Sequence, residues 1–228
     1  MIDGMLKKLW DDPTVVPVTG EEPAATFAAA LEADHPRCAE YLHRRLIPLK
    51  VALAAEIRFA PSFTGRPAVL AAMRHHDGNL RAITARYLST TRDQEKILTV
   101  GHAGGVFAVL EGLRADPLLL VEGVFDALSV ATCGYSAVAT IGRYVEWVPD
   151  FAAGRTVLLG FDGNKVGDHA ARYYKDRMPQ STCRRLRPPA RCKDWSSALS
   201  KRGQSTLRKW LADGQAAAAV RMAEPCAS

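Results

Sequence analysis

Two segments decide how this chain folds: Pro117-Leu118-Leu119-Leu120-Val121-Glu122-Gly123, and Val157-Leu158-Leu159-Gly160-Phe161-Asp162-Gly163-Asn164-Lys165-Val166-Gly167. Each is a short apolar run that stops at an acidic residue and a glycine, then gives way to a helix-like pattern. A strand buried on both faces of a parallel sheet has this continuous apolar character. In open α/β sheets ligands collect outside the carboxyl ends of such strands. The pattern therefore predicts Glu122 and Asp162 side by side on one rim. A carboxylate at a strand end has two uses, as a cap for the next helix or as a ligand for a hard cation such as Mg²⁺. Two such turns one strand apart favour the cation. Gly123 lets the chain turn at once after Glu122, and Gly163 and Gly167 flank the second turn. Helix N-termini at both turns suit phosphate. Asp126, four residues after Glu122, either faces the same rim or favours the first turn of its helix.

Outward from these segments the rhythm is strand–helix alternation, the signature of a parallel sheet. Strands are predicted at Leu118–Val121, Ala137–Thr140, Thr156–Phe161 and Ser181–Leu186. Helices are predicted at Phe125–Thr132, Val166–Arg177 and from Trp195 onward. Upstream the pattern changes. Ala68–Met73 and Leu80–Leu88 are strands joined at His76-Asp77-Gly78-Asn79, where Asp-Gly marks a tight hairpin. Further strands are predicted at Glu95–Val100 and Val106–Leu110, and helices at Ala24–Ala33, Pro36–Arg45 and Leu49–Ala55. Met5–Trp10 is a short helix, and Pro17–Pro23 a linker. The expected organisation is an N-terminal segment and linker (1–23), a small mixed subdomain of helices and an antiparallel hairpin (24–113), an α/β domain (114–200), and a C-terminal helix with a loose tail (201–228).

The 228 residues, 48% hydrophobic, are enough for a sizeable core. The formal charge of +6 favours anionic partners without choosing among them. Five widely spaced cysteines (Cys38, Cys133, Cys183, Cys192, Cys226) contain no Cys-x-x-Cys pair, so neither a disulfide framework nor a zinc knuckle is suggested. They are expected to be reduced thiols in a cytoplasmic protein. No apolar run approaches the ~18 residues of a membrane span, and Met1–Lys8 is not a signal peptide.

Val121-Glu122-Gly123-Val124-Phe125-Asp126-Ala127-Leu128, then Ala137–Gly142, then Phe161–Gly167 resemble the Toprim domain. Lys193-Asp194-Trp195-Ser196-Ser197-Ala198-Leu199 resembles the Lys-Asp segment that follows in primase-type members. Tyr41–Pro48, Pro67–Met73, Asp77-Gly78-Asn79 and Arg86-Tyr87-Leu88 are similar to the helix and hairpin upstream of the Toprim part in bacterial-type and mobile-element primases. The resemblance spans about residues 38 to 200. It implies a Toprim fold, a central mostly parallel sheet flanked by helices, preceded by a smaller mixed α+β primase-type subdomain. It further implies a metal-dependent nucleotidyltransferase that makes RNA primers on single-stranded DNA from nucleoside triphosphates, with Mg²⁺ or Mn²⁺ and no zinc.

Carried over by position, Glu122 and Asp162 are catalytic carboxylates and metal ligands, and Asp194 is a further one. The second aspartate of the Asp-x-Asp motif is Asn164 here, whose amide oxygen is still expected to coordinate the metal but with one negative charge fewer. Asp168 is a candidate to compensate. Arg81, Arg86 and Lys96 on or beside the hairpin strands, and Arg184, Arg185, Arg187 and Lys193 beside Asp194, are candidates for nucleic acid and nucleotide, since Lys and Arg neutralise phosphate without reading sequence. Residues 1–40 offer no zinc module, and no helicase phosphate loop occurs, so the expected chain is a core fragment, a stand-alone relative, or a subunit with which a helicase or zinc-module subunit acts in trans. Two alternatives stand beside synthesis: a catalytically weakened Toprim module that grips nucleic acid with a replication partner, and a Toprim nuclease.

Overall fold

A computed structural model of the protein describes residues 22–220. The expected helix Met5–Trp10, most of the linker before Pro23 and the end of the tail lie outside the described residues. The chain divides into two compact units. The first ends at Phe107 and also takes in Thr140–Glu146; the second comprises Ala108–Ala139 and the chain from Trp147 on.

The first unit opens with helices α1 (Pro23–Ala29), α2 (Pro36–Arg44) and α3 (Leu49–Ala54). α1 and α2 begin on proline, whose fixed φ suits the first helical turn and whose missing N–H is no loss there. An antiparallel sheet runs β1 (Leu31–Glu32), β2 (Arg58–Phe63), β3 (Arg66–Arg74), β4 (Leu80–Tyr87), β5 (Ile97–Gly101) in that spatial order. The expected hairpin forms between β3 and β4, with Leu70 opposite Ala85. Asp77 Oδ1 accepts the Asn79 N–H at 2.9 Å and Gly78 takes a φ of 88°, as a tight Asp-Gly turn requires. Phe27, Phe63, Leu70, Ile83, Tyr87 and Val100 form the core on this sheet.

Two elements here escaped the sequence pattern. β2 carries Pro61, which cannot donate to a ladder and so demotes a run as a strand. The structure places it where the β2–β3 register slips between Ala60 and Phe63, a bulge that leaves its missing N–H harmless. α1 stops at Ala29, earlier than expected, because Leu31–Glu32 pairs with Phe59 and Arg58 of β2.

The second unit contains β6 (Phe107–Val109), β7 (Leu118–Val121), α4 (Val124–Thr132), β8 (Ala137–Ala139), α5 (Val148–Phe151), β9 (Thr156–Leu159), α6 (Lys165–Arg177), β10 (Thr182–Arg185) and α7 (Trp195–Val220). Its sheet has the order β10-β9-β7-β8-β6. β7 pairs in parallel with β8 on one side and β9 on the other, and β10 runs parallel to β9. Every residue of β7 and β9 is buried, which is why both read as unbroken apolar runs. β6 belongs to this sheet, not to the upstream antiparallel one. Close packing holds the chain after it: a Cβ on Gly112 would lie 2.4 Å from the Ala137 carbonyl oxygen, so only glycine passes there.

α7 breaks at Gly203 (φ 76°) and then continues as helix through Val220, burying Leu207, Leu211 and Ala218. As far as Val220 the expected C-terminal helix packs into this unit. The first turn of α7 is fastened by Trp195, 1% exposed, whose indole N–H donates to the Gly160 carbonyl. Among the described residues no helix is long and apolar enough to cross a membrane. Trp195→Phe leaves the Gly160 carbonyl without that donor, and we expect it to cost about 1–3 kcal/mol, read as a lower urea midpoint at unchanged slope.

Candidate active site: an acidic rim

β7 and β9 are direct neighbours, with Leu118 opposite Val157 and Leu120 opposite Leu159. Their carboxyl ends therefore deliver Glu122 and Asp162 to adjacent places on one rim. The Gly160 N–H extends the pairing by donating to Leu120 O at 2.7 Å. A Cβ at Gly160 would stand 2.7 Å from Leu119 Cδ1, and one at Gly167 would stand 2.1 Å from the Asp162 carbonyl oxygen. Both glycines are there because backbone and strand end approach too closely for a side chain. Gly163 is fixed by its N–H to the Lys193 carbonyl, 2.6 Å, which ties the Asp162 turn to the Lys193-Asp194 segment.

Glu122 and Asp162 lie close enough for each to act on the other's ionisation. Burial pushes the Glu122 carboxyl up to about 7, with the neighbouring Asp162 charge adding to the rise and Lys193 opposing it. Burial also raises Asp162, again opposed by Lys193. The Lys193 ammonium lies 3.5 Å from Asp162 Oδ2 and is itself held charged by that carboxylate. Two buried carboxylates side by side are a site that lacks positive charge.

Helix caps account for the remaining acidic candidates. Asp126 Oδ2 accepts the Gly123 N–H at 3.1 Å and its Oδ1 accepts the Ser196 N–H at 3.1 Å, so one buried carboxylate joins the starts of α4 and α7. Burial, with Asp194 nearby, pushes it up to about 7. Asp194 Oδ1 accepts the Ser197 N–H at 2.6 Å while Ser197 Oγ faces the Asp194 N–H at 3.1 Å, a reciprocal cap on α7. Asn164 caps α6: its Oδ1 accepts the Gly167 N–H at 2.9 Å, and its Nδ2 turns toward Asp162 Oδ2 at 3.5 Å. Asn164 therefore presents a donor, not an oxygen, to the rim, which departs from its expected place among the metal ligands. Asp168 does not compensate, because Arg187 and Arg185 bind both its oxygens and hold its carboxyl below the usual range.

Among the described residues no three His, Cys, Asp or Glu side chains are grouped to hold an ion. What the rim offers is a pair, Glu122 and Asp162. That donor set fits Mg²⁺, which takes one or two protein carboxylates, keeps several waters and shares substrate phosphates.

The basic candidates separate into two kinds. Arg185 is turned inward, its guanidinium on the carbonyls of Leu159, Phe161 and Leu186 (2.8, 2.8 and 3.1 Å) and of Asp162. With Nε on Asp168 and both terminal nitrogens on main-chain carbonyls, it is committed to the interior, which removes it from that group. Arg184 donates to Ala217 O at 3.4 Å and Arg187 is clamped on Asp168. Lys193 is exposed at the rim. In the first unit Arg81 and Lys96 are exposed, and Arg86 is half-buried with its Nε 3.2 Å from Tyr41 Oη.

Residues 119–199 match the Toprim-like family. The structure resembles the RNA polymerase domain of Mycobacterium tuberculosis primase DnaG in complex with a double-stranded DNA oligomer with a 6-nucleotide overhang (19% identity, 88% of this chain and 82% of that one, TM-score 0.66). It also resembles a DnaG primase catalytic domain bound to single-stranded DNA (20%, 84% and 77%, 0.65). A third similar structure is the Aquifex aeolicus primase with its zinc-binding and RNA polymerase domains (16%, 83% and 59%, 0.65), so the chain spans well under two thirds of that one. No curated protein sequence matches. The chain thus carries a Toprim-like domain in the fold of a primase catalytic core.

The raised carboxyls fix a pH dependence. Unfolded, Glu122 and Asp126 titrate near 4.5 and 3.8, and folded near 7. Between those values the folded chain holds the extra protons, so their stabilising contribution is complete at the acid end and is lost as pH rises through about 7. In EDTA the melting temperature should therefore fall between pH 5 and 8, and Glu122→Gln should flatten that fall. A Glu122→Gln profile as steep as wild type would contradict the assignment.

Proposed function

We propose that this chain is the polymerising core of a primase, joining ribonucleotides on a single-stranded DNA template. The observation that carries this is the Glu122–Asp162 pair at neighbouring strand ends, with Lys193 beside it, in a chain of primase-core fold. A divalent cation held by Glu122 and Asp162 would neutralise the triphosphate and favour attack by a 3′ hydroxyl. Lys193 supplies a second positive charge at the same edge, exposed and able to follow a phosphate oxygen. Burial raises the Glu122 carboxyl, and any proton it holds must leave before the pair can act as a ligand. The exposed Arg81 and Lys96 suit the phosphate backbone of a template. A helicase and a zinc-binding module are the parts that would supply template choice.

Asn164 supports a second reading, a core whose chemistry is weakened while binding is kept. Its amide oxygen is committed to the α6 cap and its amide nitrogen faces Asp162.

Primer synthesis on single-stranded DNA with ribonucleoside triphosphates and Mg²⁺ or Mn²⁺ tests the first reading. Labelled oligoribonucleotides are the expected product, and Glu122→Gln should lower their yield by about 100-fold or more. No product from a protein that still binds the DNA would leave the binding reading. Asn164→Asp separates the two further, since aspartate keeps the cap and restores a charge. A several-fold gain in Mn²⁺ affinity and in product is expected, and an unchanged affinity would argue that Asn164 does not limit the site.

A further inference from the structure

β9 ends at Leu159, and the chain that carries Asp162 to the rim leaves the ladder there. The carbonyls of Leu159, Phe161 and Asp162 lie in the buried interior next to that exit, where a polar group without a partner is costly. Leu159 O also accepts the Leu186 N–H at 3.2 Å, and one side chain reaches all three. Arg185, the last residue of β10 and in register with Leu159, puts Nη1 2.8 Å from Leu159 O and 2.8 Å from Phe161 O, and Nη2 against Asp162 O. Nη1 also reaches Leu186 O at 3.1 Å. Nε is directed by Asp168 Oδ1 at 3.1 Å, from the first turn of α6, whose other oxygen is held by Arg187 at 3.0 Å.

We infer that Arg185 is a positioning residue for the acidic rim, fixing the backbone of Asp162 so that its carboxylate meets Glu122. The inference rests on the proposed cation site at these two carboxylates. A planar guanidinium offers five N–H donors in a fixed fork, whereas an ammonium offers three from one point. This fork donates to the Asp162 carbonyl, and Gly167 packs against the same carbonyl too closely to admit a Cβ. Asp168 acts one step further out: it aims the fork without touching the rim. An arginine reserved for nucleic acid would turn its donors to solvent, and Arg185, with a side chain 18% exposed, does the opposite. Loosening it should therefore weaken cation binding by more than the loss of fold stability explains.

Free Mn²⁺ measured by electron paramagnetic resonance during titration of the full chain tests this, below the melting temperature of every variant. Arg185→Lys and Arg185→Gln should weaken Mn²⁺ by about ten- to hundred-fold, as loss of outer-shell partners of metal ligands does. Asp168→Ala should weaken it in the same direction by less. Leu211→Ala, which opens a buried site in the second half of α7, should lower the melting temperature at unchanged Mn²⁺ affinity. Wild-type affinity in Arg185→Lys and Asp168→Ala overturns the inference, as does an equal loss in Leu211→Ala. Should the Arg185 variants fail to fold, Asp168→Ala alone decides. Asp162→Asn separates the two levels. Undiminished Mn²⁺ binding there means the cation site itself is misplaced. Binding lost there and retained in the Arg185 and Asp168 variants removes only the positioning role.

Discussion

The parallel pairing of β7 with β9 is the constraint on which the rest of the second unit depends. It places two carboxylates together at buried strand ends, where burial raises the proton affinity of both and Asp162 adds to that of Glu122. Like charges in a low-dielectric setting cost free energy unless they bind a proton or a cation. The surroundings of the rim follow from that cost. Lys193 lies against Asp162, and Asn164 turns a donor toward the same oxygen. The rim is built for positive charge.

Caps and ligands are divided among residues that look alike in the sequence. Asp126, Asn164 and Asp194 all give oxygens to main-chain N–H groups at helix starts, while Glu122 and Asp162 stay outside those caps. This matters because an oxygen accepting an N–H is directed at the backbone. Asp126 is the sharpest case, with both oxygens on the starts of two different helices, so that it holds the Glu122 turn to the Asp194 turn. Arg185 does comparable work on the opposite side of Asp162, by filling carbonyls instead of N–H groups.

Much of this was legible in the sequence, and the exceptions have physical reasons. The apolar runs ending at Glu122 and Asp162 located β7 and β9 because a strand buried on both faces has no alternation to confuse it. The Asp77-Gly78 hairpin was legible because that turn needs those residues. β2 was hidden by Pro61, which is tolerated only because a bulge falls there. The place of β6 depends on a contact between Gly112 and Ala137, far apart in sequence. At the site, the Asp194…Ser197 spacing was a readable cap signal that the Lys193-Asp194 resemblance overshadowed. The inward turn of Arg185 had no local signal at all, since only the β9–β10 register brings it to Asp162.

A crystal structure of the chain soaked in Mn²⁺ tests the central claim most directly. An ion within about 2.2 Å of carboxylate oxygens of both Glu122 and Asp162, with the Asn164 amide oxygen still on the Gly167 N–H, is the predicted result. An ion bound elsewhere, or one that draws the Asn164 oxygen off the helix cap, would contradict the account.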